Sequence, residues 1–248
     1  MPDLQQSETE KLMLTVMNLF ADRFPAQAIL KGGMELRLVD CPRYTNDINY
    51  IFVPYASKNE IRDTVANALK EISTAAVETS VHSTCIRYRI ERNNTAILIE
   101  INVAEECNSE PLSTGSLAIR NNELPRIIRG MRFDVALAHK LAAWNERNLI
   151  RDLYDASFMT NTFNIYPETE TLRKRLSHIV SRHKTKVRIR SMTIPEFIPV
   201  LSAAGATLTQ QHINEELRDY FAPEELPGLD KKIKTGISRI VHFLESSN

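Results

Sequence analysis

The sequence predicts an α/β protein whose first part combines strands with helices and whose last third is helical. Two patterns support this fold class. From residue 28 to residue 148, short runs of β-forming residues alternate with segments that have apolar residues at helical spacing. From about residue 161, only helical segments follow, and Pro223 and Pro227-Gly228 separate the last two of them. We therefore expect two domains, at residues 1–160 and residues 161–248.

Composition limits the location and the partners of the chain. The 248 residues are 43% hydrophobic and 25% charged, with 31 basic and 31 acidic side chains, so the net charge indicates no particular partner. No apolar run approaches the roughly 20 residues that span a bilayer, and the N-terminus lacks a basic-then-apolar signal pattern. Cys41, Cys85 and Cys107 follow no metal or redox spacing. We expect a cytoplasmic protein with reduced thiols and no membrane association.

The first part of the chain is expected to begin with a helix. Residues 7–10 form a capping-box pattern ahead of this helix, and Pro25 ends it. Ser57 is expected to cap a longer helix, and Asn93-Asn94 to join a β-hairpin, whereas residues 105–131 carry little signal. The expected elements after the first helix are a strand at 28–30, a helix at 34–39, a strand at 47–53, a helix at 59–76, strands at 84–91 and 95–103, a helix at 133–148, and helices at 168–181, from 194, at 210–221 and at 229–246.

The segment from residue 29 to residue 52 carries the clearest chemical signal. A strand that ends in Gly32-Gly33 and leads into a helix exposes backbone N–H groups that can approach a phosphate closely. Asp47 and Asn49 lie two apart on the next strand, so they share one face and point back to the glycine turn. Nucleotidyltransferases build their sites in this way, with glycines at the triphosphate and carboxylates at Mg²⁺. The alternative is that the glycines serve packing only.

A further acid lies within the expected strand at residues 95–103. This run is almost wholly apolar, as expected of a central strand that is covered on both faces, and Glu100 interrupts it. An unpaired carboxylate there would cost several kcal/mol, so Glu100 requires a metal, a basic partner or a raised pKa. The alternative to a role in a site is a structural ion pair with a basic neighbour.

Charged residues follow on and after the helix at 133–148. Lys140 falls within the apolar stripe of this helix, so its ammonium either reaches the surface or points at a negative group. Asp152 and Asp155, which follow Arg151, have an i,i+3 spacing that places them near each other. The alternative is a charged helix end with local salt bridges.

The combination of these motifs resembles the AbiEii/AbiGii-type nucleotidyltransferase toxins, a family that includes the MenT toxins of type IV toxin–antitoxin systems. The resemblance covers roughly residues 29–160. Asn49 stands where the family usually has its second metal-binding Asp, and Glu100 stands where Asp is commoner. The residues that match the motifs are Lys31, Gly32, Gly33, Arg43, Thr45, Asp47, Glu100, Lys140, Arg151, Asp152 and Asp155.

The resemblance implies a polymerase-β-like nucleotidyltransferase core with a mixed sheet, followed by a C-terminal helical bundle. It implies transfer of a nucleoside monophosphate from an NTP to an RNA acceptor, such as the 3′ end of tRNA, with Mg²⁺ or Mn²⁺ as cofactor. A protein hydroxyl is the alternative acceptor. A separately encoded antitoxin is the implied partner. Because Asn49 replaces a carboxylate, two functions stay open: an active enzyme, or a degenerate member that binds nucleotide or RNA without turnover.

The resemblance also implies roles for single residues. Asp47, Asn49 and Glu100 would hold the metal, and Glu100 alternatively takes the proton of the attacking hydroxyl. Lys140 would neutralise the leaving pyrophosphate, and Asp152 would orient Lys140 or the base. The other residues expected to bind the nucleotide are Lys31, Gly32, Gly33, Arg43, Thr45 and Arg151.

A basic stretch between residues 173 and 190 contains no acid, although the whole chain is neutral. Such a local excess suits a phosphate backbone, and the alternative is a solvated helix face and loop. No sequence-reading nucleic-acid motif is present. The residues expected to contact RNA are Arg173, Lys174, Arg182, Lys184, Lys186 and Arg188.

Overall fold

The computed structural model describes residues 4–178 and 191–247. The chain divides into two compact units, an N-terminal unit at Met1–Arg132 and a C-terminal unit at Phe133–Asn248. The division lies earlier than the boundary near residue 160 that the sequence suggests. No helix in the described ranges is long and apolar enough to cross a membrane.

The N-terminal unit is built on a seven-stranded sheet with the order β3-β4-β5-β2-β1-β7-β6. The sheet is mixed, since β2 pairs with β5 and β1 with β7 in parallel, whereas the other neighbours are antiparallel. Its elements are α1 (Leu4–Arg23), β1 (Ala28–Lys31), α2 (Gly33–Arg37), β2 (Asp47–Phe52), α3 (Arg62–Leu69), β3 (Glu78–Val81), β4 (Ile86–Arg92), β5 (Thr95–Val103), β6 (Ser109–Ser113), α4 (Gly115–Arg120) and β7 (Ile127–Met131).

The two faces of this sheet differ in burial. On β2, Ile48, Tyr50 and Phe52 are buried, and Phe20 of α1 makes edge-on ring contacts with both Tyr50 and Phe52. On β5, the buried residues alternate with Leu98, Glu100 and Asn102, which are only half-buried. The second face of β5 is therefore covered only in part, where the sequence predicts cover on both faces. We call the less buried face, which carries Asp47, Asn49 and Glu100, the open face.

Several expected elements of the N-terminal unit change length or were missed. Helix α1 begins at Leu4, so residues 7–10 lie within it and do not cap it. Ser57 does form a capping box with Glu60, but on a short 3-10 turn, and the helix that follows ends at Leu69. Strands β3, β6 and β7 were not predicted. All four residues of β3 are exposed, and β6 contains Pro111 at the sheet edge, so neither strand shows an apolar alternation.

The β-hairpin of β4 and β5 forms as expected. Asn93 and Asn94 take left-handed backbone conformations, with φ of 51° and 62°, which a tight two-residue hairpin turn requires. Counting outward from this turn, Arg92 pairs with Thr95, and Arg87 pairs with Glu100. The turn thus fixes the partner of every residue on β5.

The C-terminal unit consists of packed helices. Helix α5 lies against α6 and α7, and α10 lies against α6 and α8. Helices α5 and α6 therefore belong to this unit, although the sequence places most of both in the first domain. At the α6–α10 contact, a Cβ placed on Gly236 would lie 2.5 Å from Ser157 Cβ, which shows how closely the two backbones approach. The helices are α5 (Phe133–Arg147), α6 (Ile150–Phe163), α7 (Thr169–Ser177), α8 (Ile194–Thr207), α9 (Gln210–Glu216) and α10 (Leu229–Ser246).

Candidate functional site

A glycine turn joins β1 to α2 in the N-terminal unit. Gly32 has φ of 83° and ψ of −146°, a conformation that L side chains rarely adopt. A Cβ on Gly32 would lie 3.6 Å from the Cβ of Asn49. The turn therefore lies directly against the strand that carries the first acid motif, as the sequence predicts.

The second glycine makes room for two buried polar side chains. A Cβ on Gly33 would lie 2.8 Å from both Arg43 Nη2 and Thr45 Oγ1, closer than packed atoms approach. The Thr45 hydroxyl donates to Asp47 Oδ1 at 3.0 Å, and Arg43 Nη1 donates to the Tyr44 carbonyl at 3.0 Å. Gly33, Arg43, Thr45 and Asp47 thus form one contacting group, so a packing role for Gly33 and a role in a site are not exclusive.

Strand register places a row of polar side chains across the open face. Lys31 of β1 pairs with Asn49 of β2, Asn49 pairs with Glu100 of β5, and Glu100 pairs with Arg87 of β4. Paired residues in a sheet point to the same side, and Asp47 lies two residues before Asn49 on that side. The three expected metal ligands therefore share one face.

Lys31 engages the next residue of the same face on β5. In the orientation that satisfies the Asn102 amide, its oxygen accepts from Lys31 Nζ at 3.2 Å and its nitrogen donates to the Thr84 carbonyl at 2.6 Å. Lys31 thus brings a positive charge to the same face as Asp47 and Glu100.

Glu100 has the basic partner that its position requires. Arg87 Nε donates to Glu100 Oε1 at 2.7 Å. The hydrogen bond and the negative charge of Glu100 raise the pKa of the Arg87 guanidinium. Sequence reasoning foresaw an ion pair as the alternative for Glu100 but did not find Arg87, although the hairpin register points to it.

The donor set suits a hard cation that shares its ligands with a substrate. Within residues 4–178 and 191–247, no three His, Cys, Asp or Glu side chains form a group that could hold a metal ion. Asp47 and Asn49 nevertheless offer two side-chain oxygens on one face beside the glycine turn. Mg²⁺ is commonly held by one or two carboxylates together with substrate phosphates and water. The residues therefore fit such an ion, with Asp47 as the principal charge.

The remaining candidate residues of the family motif form a buried ion-pair network within the C-terminal unit. Lys140 Nζ of α5 lies 2.6 Å from Asp155 Oδ2 and 3.8 Å from Asp152 Oδ1, so Asp155 is its nearer partner. Arg147 contacts both oxygens of Asp152 at 2.6 Å. Both carboxylates are 0% exposed, and Lys140 is 17% exposed. The local salt bridges that the sequence left as an alternative are thus present.

The arginines on either side of this network, Arg147 and Arg151, both have partners. Burial lowers the pKa of Arg147, but the hydrogen bond and charge of Asp152 outweigh it, so the pKa is raised. Arg151, which is expected to bind nucleotide, donates to the Tyr220 hydroxyl at 2.9 Å and lies over the Tyr220 ring.

The basic stretch is described only at its start. Arg173 and Lys174 pair with Glu170 of the same helix, and Arg175 Nη2 lies 2.9 Å from Glu146 Oε1. Acids from outside the stretch therefore offset part of its charge. The other residues expected to contact RNA lie outside the described residues: Arg182, Lys184, Lys186 and Arg188.

A mixed sheet that sets Asp47 and Asn49 against a glycine turn is the arrangement of a nucleotidyltransferase. The chain belongs to the AbiEii family, because the model of the nucleotidyl transferase AbiEii toxin, type IV TA system, matches residues 17–235. The expected family, fold class and enzyme class are therefore confirmed. No curated protein matches the sequence.

Solved structures show the same fold at low sequence identity. MenT4, a nucleotidyltransferase toxin from Mycobacterium tuberculosis H37Rv, is 15% identical with a TM-score of 0.63, and the match covers 95% of this chain and 84% of that one. JHP933 from Helicobacter pylori is 15% identical with a TM-score of 0.59, covering 99% and 95%. A putative nucleotidyltransferase from H. pylori is 15% identical with a TM-score of 0.56, covering 99% of both chains.

Proposed function

We propose that this nucleotidyltransferase moves a nucleoside monophosphate from an NTP to an RNA acceptor, the 3′ end of tRNA, with Mg²⁺ or Mn²⁺ as the cation. The observation that carries the proposal is the contact of the Gly32–Gly33 turn with Asn49 and Thr45, next to Asp47. Membership of a type IV toxin–antitoxin family adds a separately encoded antitoxin as partner and toxicity as the outcome of transfer.

Residues of the N-terminal unit would have different roles in the transfer. The backbone of Gly32 and Gly33 would bind phosphate oxygens, and Asp47 with Asn49 would hold the cation beside them. The Thr45 hydroxyl would orient the Asp47 carboxylate through its bond to Oδ1 and leaves Oδ2 as the oxygen for the cation. Glu100 would complete the cation site or accept the proton of the attacking hydroxyl. When bound, Mg²⁺ would stabilise negative charge on the triphosphate.

One observation favours the second function, binding without turnover. Asn49 supplies no charge, and Arg87 neutralises part of the charge of Glu100. The open face therefore holds less negative charge than a site with three carboxylates, which lowers its affinity for a divalent cation.

Incubation of the protein with each labelled NTP, total tRNA and either Mg²⁺ or Mn²⁺ separates the two functions. Label on tRNA supports the enzyme and identifies the preferred base. Nucleotide binding that calorimetry detects, with no label on tRNA at any cation concentration, supports the degenerate member and overturns the proposal of transfer to tRNA.

Asn49→Asp tests whether Asn49 belongs to the cation site. The change adds a carboxylate on the same face as Asp47, so we expect the Mg²⁺ concentration for half-maximal transfer to fall roughly fivefold. Without metal, repulsion from Asp47 and Glu100 should lower the melting temperature. Asn102→Asp is the matched control, since it adds the same charge to the same face, two residues after Glu100 on β5. Equal effects of both variants on the Mg²⁺ requirement would contradict a ligand role for Asn49.

Gly33→Ala tests the contact between the glycine turn and Thr45. The added methyl must displace Arg43 or Thr45, which breaks the support of Asp47 and costs roughly 1–3 kcal/mol of stability. We expect transfer to fall at least about tenfold, since misplaced catalytic groups lose rate steeply. Thr45→Val replaces the hydroxyl with a methyl group of similar size, and we expect it to lower transfer with little change in melting temperature. Normal transfer by both variants would show that the Thr45–Asp47 bond has no role in the site.

A further inference from the structure

Arg87 lies within the candidate site but belongs to none of the motifs that identify it. It pairs in register with Glu100, and its Nε donates to Glu100 Oε1 at 2.7 Å. The Arg87 side chain is 45% exposed and that of Glu100 is 24% exposed, so the pair lies at the solvent edge of the open face. The carboxylate that would complete a cation site is thus already bound by a cation of the protein itself.

The replacement of a carboxylate at position 49 makes this pairing important. Asn49 lies beside Glu100 in register and contributes an oxygen without charge. Of the two residues that pair with Asn49 across the sheet, Lys31 and Glu100, Glu100 is the one that brings a negative charge, and Arg87 holds it. A guanidinium and a divalent cation at the same carboxylate repel each other, so occupation by one disfavours the other.

We propose that Arg87 is a residue of the cation site. Its guanidinium binds Glu100 while no metal is present and moves away from Glu100 when a divalent cation binds. This inference rests on the proposed function and adds a built-in competitor to it. Exchange is feasible because a half-exposed ion pair contributes little to the stability of the fold. The buried Arg147–Asp152 pair of the C-terminal unit, with 0% exposure of its acid, has no such freedom.

Arg89 provides a matched control on the same strand. It lies two residues after Arg87, on the same face, and its side chain is 47% exposed. Its partners are Glu78 at 3.1 Å and Glu91 at 3.7 Å instead of Glu100. Loss of either arginine removes one positive charge from the open face, but only the loss of Arg87 releases Glu100.

The test measures Mn²⁺ binding to the full-length protein without nucleotide, by electron paramagnetic resonance of the free ion. We expect Arg87→Gln to tighten Mn²⁺ binding at least about fivefold and Arg89→Gln less than about twofold, since screened charges that are not in contact interact weakly. Glu100→Gln should weaken binding, and adding Arg87→Gln to it should change binding no more than Arg89→Gln does. Circular dichroism and melting curves check that each variant is folded.

The outcomes distinguish the inference from the function on which it rests. Mn²⁺ binding that Asp47→Ala abolishes, combined with equal effects of Arg87→Gln and Arg89→Gln, overturns the competitor role alone and leaves the cation site standing. Tightening by Arg87→Gln that persists in the Glu100→Gln background also overturns it, because the effect then does not pass through Glu100. Mn²⁺ binding that is indifferent to Asp47→Ala overturns the cation site and the inference together. Binding that is undetectable without nucleotide overturns the inference alone, since substrate phosphates supply part of the ligands in the proposed function.

Discussion

Replacing Asp47 with alanine is expected to lower nucleotidyl transfer by roughly a hundred- to a thousandfold, since it removes the principal charge that would hold the cation at the triphosphate. The fold should survive. Asp47 is only half-buried, and the Thr45 hydroxyl that donates to it also lies 3.3 Å from the Asp47 backbone carbonyl, which the substitution keeps. We expect the melting temperature to change by less than about 3 °C.

Asp63→Ala is the control for this prediction. Asp63 is an exposed carboxylate of the same unit, on α3, and its partner is the neighbouring Arg62 at 2.8 Å. Transfer and melting temperature should both stay close to those of the parent protein. Bacterial growth on induction of each variant supplies a second measurement, because Asp47→Ala should abolish toxicity and Asp63→Ala should preserve it. A folded Asp47→Ala protein that transfers at the parent rate would refute the assignment of the site.

The part of the site that the sequence predicts well is local in the chain. Gly33, Arg43, Thr45 and Asp47 lie within fifteen residues of one another, in the connection from β1 through α2 to the start of β2. Side-chain alternation then gives the shared face of Asp47 and Asn49 without any tertiary information. These are the features that the structure reproduces.

The part that the sequence misses depends on which elements become neighbours. The hairpin turn at Asn93-Asn94 determines that Arg87 lies opposite Glu100, so this partner could be predicted from the sequence. The parallel pairing of Asn49 with Glu100 was not, since β2 and β5 are distant in the chain and no turn sets their register. The exposed edge strand β3 has no buried face at all, so it leaves no pattern to detect.

The helical pattern likewise does not state which helices pack together. Lys140 within an apolar stripe predicts either an ammonium at the surface or a negative partner, and the structure supplies Asp155 from the next helix. The division after Arg132 follows from the packing of α5 and α6 on other helices. A periodic segment shows that a face is buried, but any apolar surface of suitable shape can bury it.

Arg147→Met is expected to destabilise the protein by roughly 3–5 kcal/mol, because it removes the guanidinium that binds both oxygens of a carboxylate with 0% exposure. Lys140 Nζ, 3.8 Å from Asp152 Oδ1, is too distant for a hydrogen bond that would replace the lost pair. Methionine keeps most of the apolar stem, so the loss reports on charge more than on packing. The melting temperature should fall on the order of 10 °C.

The double variant Arg147→Met, Asp152→Leu tests whether the loss of stability comes from the uncompensated charge of Asp152. Replacing both partners of a buried ion pair with apolar residues is often nearly neutral, whereas removing one leaves an uncompensated charge. We therefore expect the double variant to be more stable than Arg147→Met alone, with a coupling free energy above about 1.5 kcal/mol from urea unfolding. Arg173→Met, at the exposed pair with Glu170, makes the same change on the surface and should cost less than about 0.5 kcal/mol. Additive losses of stability in the double variant, or an equal loss for Arg173→Met, would mean that Arg147 does not compensate the buried charge of Asp152.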